Sequence, residues 1–95
     1  MIRKQPTPAG TVKVTFALVD TGQPVSVVAD VNAWDPHVHP LRKRSNGTRS
    51  VVVELVPGTS VRFRYLDASG RFFDDPDADA LEPNGIGETH SLVTV

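Results

Sequence analysis

The sequence predicts an all-β sandwich of about seven to eight short antiparallel strands. Three observations lead to this fold class. Apolar residues alternate with polar ones in several short runs, and turns containing Gly, Pro, Asn or Asp separate these runs. No segment shows the periodicity of an amphipathic helix. The chain of 95 residues is long enough for one small domain with a single core.

The elements follow in chain order. Residues 1–10 are predicted to be an extended lead, because Pro6, Pro8 and Gly10 disfavour regular structure. Residues 11–95 are predicted to form the single domain. Its strands are expected at residues 12–18, 25–29, 41–44, 51–55, 61–66, 71–73 and 90–95.

Three of the later segments carry their own signals. Residues 41–44 are basic, which is typical of an edge strand because charges discourage pairing with another chain. The dipeptide Asn46-Gly47 favours a hairpin turn. Residues 74–89 are acidic and contain Pro and Gly, so we expect a loop before the last strand.

Composition excludes several classes of partner. The net charge of −1 provides no drive towards nucleic acid or anionic lipid, and the short basic run at 42–44 is too small to change this. No apolar run is long enough to span a membrane, and the N-terminus lacks the apolar stretch of a signal peptide. With no cysteine in the chain, disulfides are excluded and a cytoplasmic location is expected.

The most informative segment is Asp30–Pro36, which carries the only tryptophan, Trp34. It follows a predicted strand and consists of residues that favour turns. A tryptophan at this point can be displayed to solvent, where its flat apolar face suits a sugar ring. The alternative is a core tryptophan, which many β-sandwiches of the Ig type contain.

Metal sites and catalytic constellations are not indicated. His37 and His39 do not match a zinc spacing, and Asp75, Asp77 and Asp79 fail the calcium-loop pattern. A glycosidase would need two placed carboxylates at a sugar-sized cleft, whereas the acids here crowd one segment. We therefore expect no cofactor, no metal and no enzymatic activity.

Several short motifs resemble one family in order and spacing. These are residues 25–34, 53–58, 63–66, 75–76, 86–87 and 92–95. They resemble the early-set Ig-like glycogen-binding domains of carbohydrate-binding module family 48, which occur in isoamylases, in branching enzymes and in the β subunit of AMP-activated protein kinase. The resemblance implies an Ig-like sandwich that binds α-glucan.

The same resemblance implies a set of binding residues. Members of the family stack two tryptophans on glucose rings, and a basic strand residue and a loop before the last strand complete the groove. In this chain, the first tryptophan is matched by Trp34, and Phe72 stands at the second. Arg64 stands at the position of the basic strand residue. The positions of the loop residues are occupied by Ile86, Glu88 and His90.

Two functions follow as hypotheses. The first is non-catalytic binding of a glycogen- or starch-type oligosaccharide. The second is a protein interaction module that has lost sugar binding and docks a glycogen-metabolism enzyme or a second copy of itself. The second is motivated by the departures at Phe72, Glu88 and His90 from the family's tryptophan, threonine and asparagine.

Overall fold

The protein is a sandwich of two antiparallel sheets in the computed structural model, which describes residues 1–83, 85 and 87–95. The described residues form ten strands and one 3₁₀ turn, Asp30–Asn32. The strands are β1 Ile2–Pro6, β2 Val12–Val19, β3 Val25–Ala29, β4 His39–Pro40, β5 Arg42–Lys43, β6 Thr48–Leu55, β7 Ser60–Asp67, β8 Phe72–Phe73, β9 Ala80–Pro83 and β10 Thr89–Thr94. The predicted all-β sandwich is confirmed.

The two sheets divide the strands between them. The first sheet has the order β1-β2-β6-β5. The second has the order β4-β3-β7-β10-β9, and the short β8 also pairs with β7. Each strand points alternate side chains into the sandwich and out to solvent, so each sheet has an inner face and an outer face.

The inner faces meet in one apolar core. Its largest fully buried members are Tyr65, Phe16 and Phe63. The rings of Phe16 and Phe63 pack edge to face, with centroids 4.8 Å apart, and so join the two sheets. The remaining buried members are Val14, Val25, Val27, Ala29, Leu41, Leu55, Val61 and Val93.

Polar side chains also lie within this interior, among them Asp75 and Ser91. The hydroxyl of Tyr65 donates a hydrogen bond of 2.5 Å to Asp75 Oδ2, and both side chains are fully buried. Burial, and next the hydrogen bond to Asp75, raise the pKa of the Tyr65 phenol above its usual value. Ser91 Oγ accepts the backbone N–H of Asp75, which ties the acidic segment to β10.

Four segments differ from the prediction. His39 and Pro40, for which no strand was predicted, form β4, which pairs with β3. Residues 2–6 of the expected lead form β1, which pairs with β2 from Ile2 opposite Phe16 to Pro6 opposite Val12. The predicted 74–89 loop contains β9, which pairs with β10. In the expected 41–44 strand only Arg42 and Lys43 are paired, while Leu41 is buried in the core.

Candidate functional site

A tightly held loop follows β3 and carries Trp34. Asn32 holds it in place and is 7% exposed. Its Oδ1 accepts the backbone N–H of Ala29 at 2.9 Å, and its Nδ2 donates to the carbonyl of Val27 at 3.1 Å. Asn32 Nδ2 also lies 2.8 Å from His39 Nδ1 at the far end of the loop. One buried amide therefore joins β3 to β4.

The backbone at the tip of this loop turns the indole away from the core. Ala33 and Trp34 have φ values of 58° and 59°, in the left-handed region that few non-glycine residues adopt. The Trp34 N–H donates to the Ala29 carbonyl at 2.8 Å, which fixes this conformation. The Trp34 residue is 43% exposed and does not belong to the apolar core.

Four of the other candidate residues lie on or beside the outer face of the second sheet. Arg64 alternates with the buried Phe63 and Tyr65, so its side chain points outward. Phe72, on β8, pairs with the next outward residue of β7, Leu66. His90 precedes Ser91, which is opposite Phe63, and so lies beside Arg64.

Arg64 is the centre of this group. Its guanidinium carbon lies 5.2 Å from the centroid of the Phe72 ring. Its Nη1 is 3.4 Å from Glu88 Oε2, and its Nε is 3.9 Å from Asp74 Oδ1. The side chain is 16% exposed. Its charge is thus neutralised by carboxylates, and the Phe72 ring, 48% exposed, forms an apolar surface beside it.

A row of polar atoms without hydrogen bonds crosses the same face. Within the part of the chain that the structure describes, Arg64 Nε, His90 Nε2 and Glu82 Oε1 are buried and have no hydrogen-bond partner. Glu82 pairs with His90 across β9 and β10. Buried polar groups in folded proteins are normally satisfied, and two of these atoms lie near an opposite charge without a hydrogen bond: Glu82 Oε1 is 3.4 Å from Arg62 Nε, and Arg64 Nε is 3.9 Å from Asp74 Oδ1.

Asp74 and Glu82 were missed by the sequence interpretation. Asp74 accepts hydrogen bonds from Thr89 Oγ1 at 2.6 Å and Ser91 Oγ at 3.0 Å, which orient it towards Arg64. Both residues fall in the segment predicted as a solvated acidic loop. The short run that forms β9 offered too few alternating positions to be recognised as a strand.

The Trp34 loop reaches over the outer face of the second sheet. Pro36 and His37 line a shallow pocket of about 260 Å³ together with Ser26 and Leu66, two outward residues of that sheet. Val28, opposite Arg64, is fully buried although it does not belong to the core.

The structure therefore brings four of the six candidates together. These are Arg64, Phe72, Glu88 and His90. Among the described residues, no ring contact links Trp34 to them, and it lies on the neighbouring loop. Ile86 lies outside the described residues.

The described residues offer neither a metal-binding group nor a membrane-spanning helix. No three His, Asp or Glu side chains there converge as a metal-binding group. Within the same residues, no helix has the length and hydrophobicity needed to cross a bilayer.

Known proteins match this chain over part of their length. It is 43% identical over 73 residues to the 1,4-alpha-glucan branching enzyme GlgB 2 of Xanthomonas campestris pv. campestris. The matched region covers 75% of this chain and 10% of the relative. It is 27% identical over 82 residues to the 1,4-alpha-glucan branching enzyme GlgB of Synechococcus elongatus, with coverages of 84% and 11%. The chain thus spans about a tenth of the length of these curated relatives. No protein-family model matches it. The chain is homologous to a small region of 1,4-alpha-glucan branching enzymes.

Proposed function

We propose that this domain binds α-1,4-linked glucan without catalysing a reaction. The observation that carries the proposal is the exposed indole of Trp34 on an anchored loop beside the outer face of the second sheet. Homology to a region of enzymes named for 1,4-alpha-glucan supports this class of ligand. On this proposal the domain is a glycogen-binding module of the carbohydrate-binding module family 48 type.

Each candidate residue has a distinct role in this proposal. Trp34 and Phe72 stack on glucose rings. Arg64 donates hydrogen bonds to sugar hydroxyls, His90 exchanges hydrogen bonds with them, and Glu88 accepts one. Ile86, adjoining the same segment, supplies an apolar wall.

The electrostatics of the face favour an uncharged ligand. Arg64 lies between Asp74 and Glu88, and Arg62 Nε lies 3.4 Å from Glu82 Oε1. An ionic ligand would meet both signs of charge at short range. A neutral polyhydroxylated ligand can use the donors and acceptors of these ion pairs without separating them.

The expected affinity is modest. Stacking one sugar face on one indole face removes roughly 100 Å² of apolar surface from water, which contributes about 2.5 kcal/mol. Two stacking residues and a few hydrogen bonds, less the cost of association, give a Kd from about 10 µM to the sub-millimolar range.

The decisive substitution is Trp34→Ala. We expect it to leave the fold intact, because the indole is exposed and the loop is held by Asn32. Retention on glycogen in affinity electrophoresis should be abolished. Val38→Ala is the matched control, since Val38 is exposed on the same loop and has no proposed contact with sugar. Unchanged retention of the Trp34→Ala protein would refute the role of Trp34.

A second candidate function is docking to a glycogen-metabolism enzyme or to another copy of this chain. It is favoured by the apolar side chains that the Trp34 loop exposes, Val31 at 49% and Val38 at 51%. Titration with maltoheptaose, followed by tryptophan fluorescence, separates the two functions. Glucan binding should change the Trp34 emission strongly, whereas a docking module should show no change and self-associate in size-exclusion chromatography.

A further inference from the structure

A cavity lies on the opposite side of the molecule from the candidate glucan site. It is on the outer face of the first sheet, has a volume of about 330 Å³, and is lined by none of the five candidate residues that the structure describes. Its lining includes two arginines, Arg3 and Arg44, and the hydroxyl groups of Thr15, Thr48 and Ser50.

The strand register explains why these residues meet. Arg3, on the edge strand β1, is opposite Thr15 of β2. Arg44 directly follows β5 at the other edge, and its backbone N–H donates to the Thr48 carbonyl at 2.8 Å. The central strands β2 and β6 therefore form a hydroxyl-bearing floor, and one arginine stands at each side of it.

Arg44 is held in position above this floor. Its Nε donates to Ser50 Oγ at 2.8 Å, and its Nη2 lies 3.4 Å from the Ser50 carbonyl. These bonds leave its other N–H groups directed to solvent or to a ligand. Nearby Arg49 and Lys43 are oriented differently, because both pair with Asp20.

The charge of this face is not neutralised. Among the described residues, neither Arg3 nor Arg44 forms an ion pair with a carboxylate. No acidic residue of the described part of the chain lines the cavity. The same outer face also carries Arg42, opposite Ser50. It is thus electropositive, in contrast to the paired charges around Arg64.

We propose that this cavity binds a phosphate group carried by a small polyhydroxylated molecule. Guanidinium groups present planar, forked donors that match phosphate oxygens, and serine and threonine hydroxyls add further donors. The volume is within the range of small-molecule sites. The hydroxyl-bearing floor accommodates the hydroxyls of a carrier such as a sugar. The site is independent of glucan binding on the other sheet.

The test is a titration of the ¹⁵N-labelled chain, followed by amide NMR shifts. Inorganic phosphate and glucose 6-phosphate are the ligands, and glucose and sodium chloride at matched ionic strength are the controls. Both phosphates should shift the amides of Thr15, Thr48 and Ser50, with a Kd of about 1 mM for inorganic phosphate. Glucose 6-phosphate should bind several-fold more tightly. Equal affinity would overturn the role of the carrier.

Substitutions then locate the site. Arg3→Gln and Arg44→Gln should each weaken phosphate binding by about tenfold. Arg42→Gln is the matched control, because Arg42 shares the face but does not line the cavity, and it should change the affinity by less than about twofold. Since all three side chains are exposed, the remaining amide shifts should stay in place and report an intact fold.

Three results would overturn the proposal. They are the absence of shifts with either phosphate, the same shifts with sodium chloride, and equal weakening by Arg42→Gln. Maltoheptaose should leave the cavity amides unshifted, so failure of the glucan proposal and failure of this one are distinguishable.

Discussion

At the scale of single residues, the backbone conformation of Ala33 and Trp34 is the most unusual feature of the chain. They are the non-glycine residues with positive φ among those described. A left-handed conformation costs a residue with a Cβ about 1–2 kcal/mol. The hydrogen bond from the Trp34 N–H to Ala29 and the anchoring by Asn32 offset this strain.

Replacing Ala33 with glycine should relieve part of the strain. We expect Ala33→Gly to raise the free energy of unfolding by about 0.5–1 kcal/mol, after allowing for the greater entropy of glycine in the unfolded chain. Denaturant unfolding measures this. Ala68→Gly is the control: its φ is not positive, so it should lower the stability by about 0.4–1 kcal/mol. A loss of stability in both variants would contradict the assignment of strain.

Residue patterns predicted some side-chain positions and left others open. In the strand predicted at residues 61–66, Arg64 alternates with Phe63 and Tyr65, and in the structure those two side chains are buried while Arg64 faces outward. The position of Trp34 could not be decided from the sequence, because turn residues are compatible with a displayed or a buried indole. Its exposure depends on the positive φ values, which no local propensity of alanine or tryptophan indicates.

At the scale of elements, the 3₁₀ turn and loop between β3 and β4 depend on one side chain. Asn32 satisfies the backbone N–H of Ala29, the carbonyl of Val27 and the ring of His39. Since Asn32 Nδ2 is a donor, His39 Nδ1 is the acceptor, so the neutral ring carries its proton on Nε2.

Removing this amide should loosen the loop. We expect Asn32→Ala to lower the free energy of unfolding by about 2–4 kcal/mol, because it leaves buried polar groups unpaired. Trp34 emission should shift towards that of free indole in water. Asn46→Ala is the control, since Asn46 makes comparable hydrogen bonds at an exposed turn and its loss should cost about 1 kcal/mol or less. Equal losses in both variants would contradict the anchoring role of Asn32.

β1 and β9, two strands that the sequence did not predict, carry little local signal and form through pairing with a neighbouring strand. β1 contains a proline at its end and lacks a regular alternation, yet its backbone completes the edge of the first sheet beside β2. β9 is four residues long and pairs with β10. Such strands form because a neighbouring strand offers free hydrogen-bonding groups, and this information is not local.

At the scale of the whole molecule, the two outer faces differ in charge. The first sheet exposes arginines without carboxylate partners around the cavity. The second sheet exposes Arg62 and Arg64 close to Glu82, Asp74 and Glu88. The net charge of −1 conceals this difference, so composition alone predicted neither face.

The stability of the whole fold should depend on acidic pH. The pKa values of three carboxyls lie below their usual range, chiefly because of hydrogen bonds from Arg49 to Asp20, from Ser69 to Asp67 and from Lys4 to Asp79. A lowered pKa in the folded state contributes stability above the unfolded pKa of about 3.9. This contribution is lost as the pH falls through the folded values.

Denaturant unfolding at a series of pH values measures this dependence. The free energy of unfolding should fall as the pH is lowered below about 4. Asp20→Asn should reduce that fall, because it removes one of the three carboxyls. A free energy of unfolding that rises on acidification would contradict the prediction.

The residues that hold the Trp34 loop are different from the residue whose ring it exposes, and this has a consequence for engineering. Ala29 and Asn32 hold the backbone of the loop, so the side chain at position 34 can be substituted without loss of the loop conformation. Unbranched aromatics such as tyrosine tolerate its left-handed geometry better than valine or isoleucine. If Trp34 binds glucan as proposed, a small library at this one position should change the ligand preference without redesign of the scaffold.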